Sequence, residues 1–362
     1  MIFYRFSINN IRRFIRQQTL EPFIPTNREK NPIGLMNLRV IFFCICFLVF
    51  SIYAVDFVRA EILMIDIQTT KQRLQDHVKT LTSTIGERSI LLPGNLEKTR
   101  AYIEKFYRDI GVPVHCEPYP YRNFTVSNIV AQISFCENPT KYYLVGAHYD
   151  SVAGTVGADD NASAVAVQLE TARHLMMQKD HHELNLAVKF VSFPLEEPPT
   201  FGTRHMGSSV YAHNAWKSKE QIDGMICLEM VGYTCHDEGC QDYPFPLMFF
   251  DYPKQGNFIG IVGNFKSRKF TNDLFEAFGG NPDLPVIKLT VPAGGFLLPS
   301  VRLSDHSSFW HRGYKAVMVT DTAFYRNPHY HRISDTMEKL DYTFMAELVK
   351  SLLLYFCSHP KS

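Results

Sequence analysis

The chain has 362 residues, of which 46% are hydrophobic and 20% are charged, and its formal net charge is +1 at pH 7. This length and composition are typical of a globular protein that can bury a core, and they exclude a largely disordered chain. Residues 1–39 carry seven Lys or Arg against two acids, whereas the remainder carries 30 against 34. Because the basic excess is confined to one end, a nucleic-acid partner is not expected.

The N-terminal part of the chain consists of a basic tail, 1–37, and an apolar segment, 38–60. Val40–Val55 is a run of sixteen residues without a charge, somewhat shorter than the roughly 20 residues of a membrane-spanning helix. Two interpretations stay open: an uncleaved transmembrane signal anchor, with its basic tail in the cytoplasm, or a signal peptide, Met36–Ala60, cleaved after Ala60. Both direct the remaining domain, 61–362, into the secretory pathway, as a single-pass membrane protein or as a secreted one. A buried core helix is the remaining alternative.

The cysteines and one sequon are compatible with an oxidising compartment. Cys235 and Cys240 flank a short polar loop and are candidates for a disulfide, and Cys116 and Cys136 could pair across neighbouring strands. Free thiols throughout the domain are the alternative. Asn123-Phe-Thr125 is a usable glycosylation sequon, whereas the Asn161 sequon lies within a motif and is expected to be shielded.

Apolar periodicity predicts helices alternating with strands. A weak helical pattern covers 61–88. A clearer one follows Pro93-Gly94 and places on one face Leu96, Ile103, Phe106, Tyr107 and Ile110. Further helices are predicted at Asp160–Gln178, His205–Asn214, Ser267–Phe278 and Met337–Phe356. Strands are predicted at Val126–Cys136, Tyr142–Asp150, Leu186–Leu195, Gly224–Gly232, Leu247–Asp251, Phe258–Val262, Pro285–Val291 and Ala316–Thr322.

Several of these strands are continuous apolar runs, which is typical of a sheet covered by helices on both faces. The expected fold class is therefore α/β, a three-layer αβα sandwich with a mixed, mainly parallel central sheet of about eight strands.

Polar residues follow the predicted strands where the carboxyl ends of a parallel sheet would gather them. One strand ends on His148 and Asp150, and the loop after it brings Asp159 and Asp160. The later strands are followed by Glu196-Glu197 and by Glu229, and the last one by a segment with His329, His331 and Asp335.

A set of five imidazole and carboxylate ligands from these segments suits two zinc ions that share a bridging carboxylate and activate a water. A neighbouring glutamate that is not itself a ligand can serve as the general base. Each feature also has a structural interpretation, such as a helix cap for Asp159-Asp160, but their coincidence at four strand ends favours a metal site.

A family resemblance covers nearly all of residues 95–357, and the motifs that carry it lie between His148 and Thr336. They are His148-Tyr-Asp150-Ser151, Gly157-Ala-Asp-Asp160-Asn-Ala-Ser, Glu196-Glu197 followed by Gly207-Ser208 and Tyr211, Ser304-Asp305-His306 with Phe309-Trp310, and Asp321-Thr-Ala-Phe324 through Tyr330-His331 to Ser334-Asp335-Thr336. In this order they resemble the zinc aminopeptidases of the MH clan. The resemblance implies the zinc exopeptidase fold and two Zn²⁺ ions per chain.

The resemblance also implies a role for each matching residue. His148 and Glu229 would each bind one zinc, Asp160 would bridge both ions, and Glu197 and His331 would complete the ligands. Glu196 would be the general base, with a metal-bridging hydroxide as nucleophile. Asp150 would orient His148, and Asp305 is a less certain supporting residue. Many family members have Asp where this chain has Glu229, which is one methylene longer.

The leading functional hypothesis is thus a zinc-dependent metallo-exopeptidase, most simply an aminopeptidase that acts on peptides. Two alternatives stay open. A glutaminyl-peptide cyclotransferase on the related fold would use a single zinc, and a non-catalytic receptor ectodomain would have lost ligands that are all present here. Membrane association is expected only through the N-terminal apolar segment, if that segment is uncleaved.

Overall fold

The computed structural model describes residues 40, 65–179, 184–245, 248 and 250–358. The basic tail, 1–37, and the apolar segment, 38–60, lie outside these residues except for Val40, so the interpretations given for them stay predictions. Among the described residues, no helix combines the length and the apolar character needed to cross a membrane.

The described residues from 65 onward form helices and strands in alternation. The helices are α1 (Ile67–Lys79), α2 (Pro93–Asp109), α3 (Ala164–Gln178), α4 (Gly207–Ser218), α5 (Arg268–Phe278), α6 (His306–His311) and α7 (Tyr342–Cys357). The strands are β1 (Val114–Tyr121), β2 (Phe124–Ser134), β3 (Lys141–His148), β4 (Leu186–Phe193), β5 (Gly224–Glu229), β6 (Ile259–Asn264), β7 (Val286–Val291) and β8 (Ala316–Thr320).

All eight strands belong to one mixed sheet with the order β1-β2-β4-β3-β5-β8-β6-β7. The central pairs β4-β3, β3-β5 and β5-β8 are parallel, as is β6-β7 at one edge. The pairs β1-β2, β2-β4 and β6-β8 are antiparallel. The carboxyl ends of the four central parallel strands therefore lie along one edge, where ligands gather in open α/β sheets.

Helices cover both faces of the sheet, so the fold is the expected three-layer αβα sandwich. Adjacent residues of a strand point to opposite faces, and Leu144 and Val145 of β3 accordingly belong to two different apolar clusters. The larger cluster includes residues of α1, α2, α3, α5 and α7, and the smaller one includes residues of α4 and α6. The fold class predicted from the sequence is confirmed.

Two strand assignments differ from the sequence prediction. β1 was not predicted, because Pro118 and Pro120 interrupt its pattern; proline is tolerated there because β1 is an edge strand. The predicted strand Leu247–Asp251 is wrong within the described residues, where Met248, Phe250 and Asp251 lie in helical and turn conformation. Because one strand was missed and one was wrongly predicted, the predicted and the observed numbers of strands are both eight.

The start of the third helix also differs from the prediction. An irregular turn, Ala158–Ser163, precedes α3, and within it Asp160 and Asn161 have non-helical φ and ψ angles. Asp159 and Asp160 therefore do not begin a regular helix. This departure turns the Asp160 side chain toward the carboxyl ends of the strands, where the other acids lie.

One of the two predicted disulfides is present. Cys235 and Cys240 are bonded, with Cα atoms 6.3 Å apart. Cys116 and Cys136 are both free, so the prediction that they pair is wrong. The register of β1 and β2 places Cys116 opposite Ile129, and Cys136 lies beyond the end of β2.

Candidate metal centre

The candidate site forms where the central parallel strands end. His148 is the last residue of β3, and Glu229 is the last residue of β5, its parallel neighbour. Glu196 and Glu197 follow shortly after β4, the parallel strand on the other side of β3. Because neighbouring parallel strands end together, four side chains from three separate parts of the sequence meet at this edge. All four are buried.

The Asp160 carboxylate lies between two histidines and presents a different oxygen to each. Its Oδ1 is 3.4 Å from His148 Nε2, and its Oδ2 is 3.2 Å from His331 Nε2. A second carboxylate accompanies each histidine: Glu229 Oε2 is 3.4 Å from His148 Nε2, and Glu197 Oε2 is 3.3 Å from His331 Nε2. The five residues expected to bind metal thus form two groups joined by Asp160.

Glu196 lies at the border of the first of these groups. Its Oε2 is 4.0 Å from His148 Nε2, farther than either Asp160 or Glu229. Ligand atoms of His148, Asp160 and Glu197 lie within 4.8 Å of one another. Glu196 is therefore beside the candidate ligands without being among the closest of them.

The pKa values of the candidate site residues are shifted because these side chains are buried and close to one another. Burial raises the pKa of Glu197 to about 8 and that of Glu196 well above its ordinary value. Burial opposes a charged His148, but the carboxylates of Glu229 and Glu196 raise the pKa of this imidazole well above its usual value. Burial likewise opposes ionisation of Asp160, yet the neighbouring imidazoles of His148 and His331 lower its pKa.

The chemistry of the site fits bound metal ions. Neither ring nitrogen of His148 makes a hydrogen bond with the described residues, although its side chain is 0% exposed. Buried polar atoms without a partner are costly, and several buried carboxylates near one another are unstable without positive charge. A bound divalent cation would coordinate the imidazole nitrogen and offset the negative charge of the carboxylates. Zinc accepts this mixture of imidazole nitrogen and carboxylate oxygen.

Asp150 holds neighbouring site residues in place through contacts of its carboxylate. Its Oδ1 and Oδ2 accept hydrogen bonds from the backbone N–H groups of Glu196 and Glu197, at 3.1 and 3.0 Å. Its Oδ1 is also 3.4 Å from His148 Nδ1. Asp150 thus contacts three candidate site residues, and its hold on the Glu196-Glu197 backbone was not foreseen from the sequence.

Two further residues fix the loop that carries Asp160, and the sequence reasoning assigned neither of them a role. Asp335 accepts hydrogen bonds from the backbone N–H groups of Asp159 and Asp160, at 2.9 and 3.2 Å. The Asn161 amide donates to Leu228 O and accepts from Met230 N, at 3.1 and 3.0 Å. Asn161 therefore ties the loop to the residues on either side of Glu229.

Asp159, for which the sequence suggested no role beyond the start of a helix, is a buried structural residue. Its Oδ1 accepts a 2.9 Å hydrogen bond from Gly232 N, and its Oδ2 accepts one of 2.7 Å from the Asn327 amide. These bonds connect the irregular turn to the segments that follow β5 and β8. The Asp-Asp pair thus divides into one residue that faces the histidines and one that anchors the turn.

Three other candidates lie away from the two groups of ligands. His329 Nδ1 is bonded to Ser334 Oγ at 2.9 Å, and His306 Nε2 to Val301 O at 2.8 Å. Asp305 is fully buried, and neither of its oxygens has a hydrogen-bond partner among the described residues. Burial raises the pKa of Asp305 to about 7. Of the late histidines, it is His331 that lies beside Asp160.

Comparison with known sequences relates the chain to peptidases. Residues 128–253 match the sequence profile of peptidase family M28. The chain is 36% identical over 290 residues to the uncharacterized protein YfbL of Escherichia coli (strain K12), a similarity that covers 78% of this chain and 86% of YfbL. It is 24% identical over 317 residues to leucine aminopeptidase 1 of Colletotrichum graminicola, over 78% of this chain and 71% of that protein.

Solved structures share the fold at lower sequence identity. The LapA aminopeptidase of Legionella pneumophila superposes with a TM-score of 0.62 at 17% identity, covering 84% of this chain and 74% of LapA. The glutaminyl cyclase of Fimbriiglobus ruber superposes with a TM-score of 0.56 at 19% identity, covering 80% of this chain and 95% of the cyclase. The two enzymes have different activities, so the fold alone does not choose between them.

Proposed function

The chain belongs to peptidase family M28 and is a metallopeptidase, and on that premise we propose that it is an aminopeptidase that uses two zinc ions to release N-terminal residues from peptides. The observation that carries this proposal is the division of the Asp160 carboxylate between His148 and His331. A carboxylate that presents one oxygen to each of two histidine-carboxylate groups is suited to bridge two metal ions.

Each ion would have its own ligands in addition to the shared one. His148 and Glu229 would hold one zinc, and His331 and Glu197 the other, with Asp160 bound to both. When bound, the zinc ions supply Lewis acidity and lower the pKa of a coordinated water. Asp150 would keep the Glu196-Glu197 backbone and the His148 ring in place.

Glu196 would be the general base. Burial raises its pKa, so its carboxyl group is able to take up a proton and to release it again. In the proposed reaction the carboxylate of Glu196 accepts a proton from the attacking water and donates it to the nitrogen of the departing peptide. The 4.0 Å distance between Glu196 Oε2 and His148 Nε2 leaves this carboxylate close to the reacting atoms.

An apolar cleft beside Glu229 would receive the N-terminal side chain of the substrate. Val262 of β6, Leu289 of β7 and Met318 of β8 line it, and its space, including the open mouth, is about 800 Å³. Of the described lining residues, only Glu229 and Asp242 carry a charge. An uncharged, apolar N-terminal side chain fits this lining, because the side chains of Val262, Leu289 and Met318 offer it apolar contacts.

A glutaminyl cyclase is the second candidate. The close grouping of ligand atoms from His148, Asp160 and Glu197 would suit a single zinc, and a solved cyclase shares the fold. Glu229 and His331, which lie 3.4 Å from His148 and 3.2 Å from Asp160, favour the aminopeptidase, because a single ion held by the other three residues would leave both without a metal.

A panel of peptides tests the proposed function. The zinc-loaded chain should hydrolyse a free-amino peptide with an N-terminal leucine, should leave its N-acetylated counterpart intact, and should lose activity in a chelator. Conversion of an N-terminal glutamine to pyroglutamate without hydrolysis of the leucine peptide would favour the cyclase. No turnover of any peptide by zinc-loaded chain would contradict both enzymes and favour a non-catalytic ectodomain.

We also propose that the domain works in the secretory pathway or outside the cell. The bond between Cys235 and Cys240 supports this compartment. Asn123, the acceptor of the intact sequon, lies exposed in the turn between β1 and β2, whereas Asn161 is buried. The N-terminal segment would either anchor the chain in the membrane or be removed.

A further inference from the structure

Arg88, which precedes the region that matches the peptidase family, is completely buried next to the loop between His148 and Asp160. Its side chain donates hydrogen bonds to three carbonyl oxygens of that loop: Nε to Tyr149 O at 2.9 Å, Nη1 to Val156 O at 2.6 Å, and Nη2 to Gly157 O at 2.9 Å. These acceptors lie near the two ends of the loop, so a single guanidinium group joins them.

The rest of the arginine is held equally firmly. Its Nη1 also donates to Leu81 O and Gly86 O, both at 3.3 Å, and its backbone N–H donates to Ser151 Oγ at 3.0 Å. In the described structure, the side chain of Arg88 thus donates its hydrogen bonds to backbone carbonyls. A planar guanidinium with five N–H donors can satisfy this arrangement, whereas a lysine ammonium cannot.

The loop is tightly folded around the arginine. Gly157 has φ +51°, and a Cβ atom there would lie 2.1 Å from Asp160 O and 2.7 Å from Ser151 Cβ. The carbonyl group of this glycine accepts from Arg88 and also from Ala162 N at 3.2 Å. A change in the contact between Arg88 and Gly157 would therefore be passed on to Asp160, three residues later.

The charge of Arg88 acts on the same region. Burial lowers its pKa to about 10, and the carboxylates of Asp150, Asp335, Asp160 and Glu197 oppose this shift, so the group stays cationic at neutral pH. None of these acids forms a hydrogen bond with the guanidinium in the described structure. The guanidinium therefore acts on the loop through the carbonyl groups that it binds, and not through a hydrogen-bonded ion pair.

We propose that Arg88 is a positioning residue for the metal centre: it fixes the backbone between His148 and Asp160 through its hydrogen bonds to the carbonyl groups of that loop. This inference rests on the proposed function. It extends the metal centre to the segment between α1 and α2, whose residues contribute none of the proposed ligands. Residues that hold metal ligands in place commonly change metal affinity by about 10- to 100-fold when they are replaced.

The test compares the full-length wild-type chain with R88K, R88M and the control R100K. Arg100 lies on α2 and pairs with Glu97 and Glu104. Zinc affinity is measured by competition with a chromophoric chelator, and the visible spectrum of the cobalt-substituted protein reports ligand geometry. We expect R88K and R88M to bind zinc about 10- to 100-fold more weakly and to show an altered cobalt spectrum, with R100K unchanged.

Wild-type zinc affinity and an unchanged cobalt spectrum in folded R88K and R88M would overturn the proposal. Circular dichroism establishes whether each variant is folded. If neither Arg88 variant folds, the proposal is overturned as well, because the residue would then act on the stability of the whole domain. A wild-type chain that does not bind zinc would instead contradict the proposed function, so the two failures are distinguishable.

Discussion

The Ser304 hydroxyl donates a 2.6 Å hydrogen bond to Glu229 Oε2. The same oxygen lies 3.4 Å from His148 Nε2. Because the single hydroxyl proton is used for Glu229, the Cys227 thiol must be the donor in its 3.2 Å contact with Ser304 Oγ. This chain of donors orients the Glu229 carboxylate, whose side chain is one methylene longer than that of an aspartate.

Replacement of Ser304 should weaken metal binding. S304A removes the hydrogen bond to Glu229 and is expected to reduce zinc affinity by about 10- to 100-fold, as measured by competition with a chelator. S308A is the control, since Ser308 bonds to Ser208 and not to a candidate ligand. Equal zinc affinity in S304A and wild type would show that Glu229 does not depend on this contact.

Replacement of Glu196 should separate metal binding from turnover. E196Q keeps the size of the side chain but cannot accept the proton, so kcat should fall by about 10²- to 10⁴-fold while zinc content stays unchanged. E276Q, a change at an exposed position of α5, serves as the control for expression and handling. Full activity in a zinc-loaded E196Q variant would remove Glu196 from the proposed role of base.

Stability should decrease in acid partly because of His306. Burial lowers the pKa of this histidine to about 4, whereas an unfolded histidine titrates near 6.5. Below about pH 6.5 the unfolded chain therefore binds a proton that the folded chain does not, and the free energy of unfolding falls as the pH falls. Between about pH 7.5 and pH 5 the expected loss from this residue is about 2 kcal/mol.

Urea unfolding of wild type and H306Q at the two pH values measures this contribution, since glutamine can still donate toward Val301 O. The wild type should lose about 2 kcal/mol more than H306Q over this pH range, and the exposed-site variant H236Q should behave as wild type. Parallel losses in wild type and H306Q would mean that His306 is protonated in the folded protein.

Much of the fold was predictable from the sequence, because the central strands are continuous apolar runs that need cover on both faces. The meeting of His148, Glu196-Glu197 and Glu229 followed from one rule, that parallel strands end at a common edge. β1 was missed because its prolines are acceptable only at the edge of a sheet, a position that no local pattern reveals.

The supporting contacts of the site were not predictable in this way. Asp335 bonds to the backbone of Asp159, which is 176 residues away in the chain, and Arg88 bonds to carbonyls of a loop that begins some 60 residues later. Side-chain bonds to a distant backbone leave no periodic signal. The Asp150 contacts with Glu196 and Glu197 belong to the same class. The two acids of the Glu pair look alike in sequence, and only their distances to His148 and His331 distinguish them.

The compartment can be tested with the two sequons. When the full-length chain is produced in a eukaryotic secretory cell, digestion with a glycosidase specific for asparagine-linked sugars should increase its gel mobility. N123Q should abolish this shift because Asn123 is exposed, whereas Asn161 is buried and should carry no sugar. A wild-type chain without any shift would contradict luminal exposure of the domain, and a shift that persists in N123Q would place the sugar elsewhere.

The central claim is that Asp160 joins two metal sites, and the zinc content of the purified full-length chain tests it most directly. Elemental analysis after saturation with zinc and removal of the excess should give two zinc ions per wild-type chain and fewer than two in D160N, because the amide offers only one good ligand oxygen. A wild-type chain that binds a single zinc, or a D160N variant that retains two, would contradict the account.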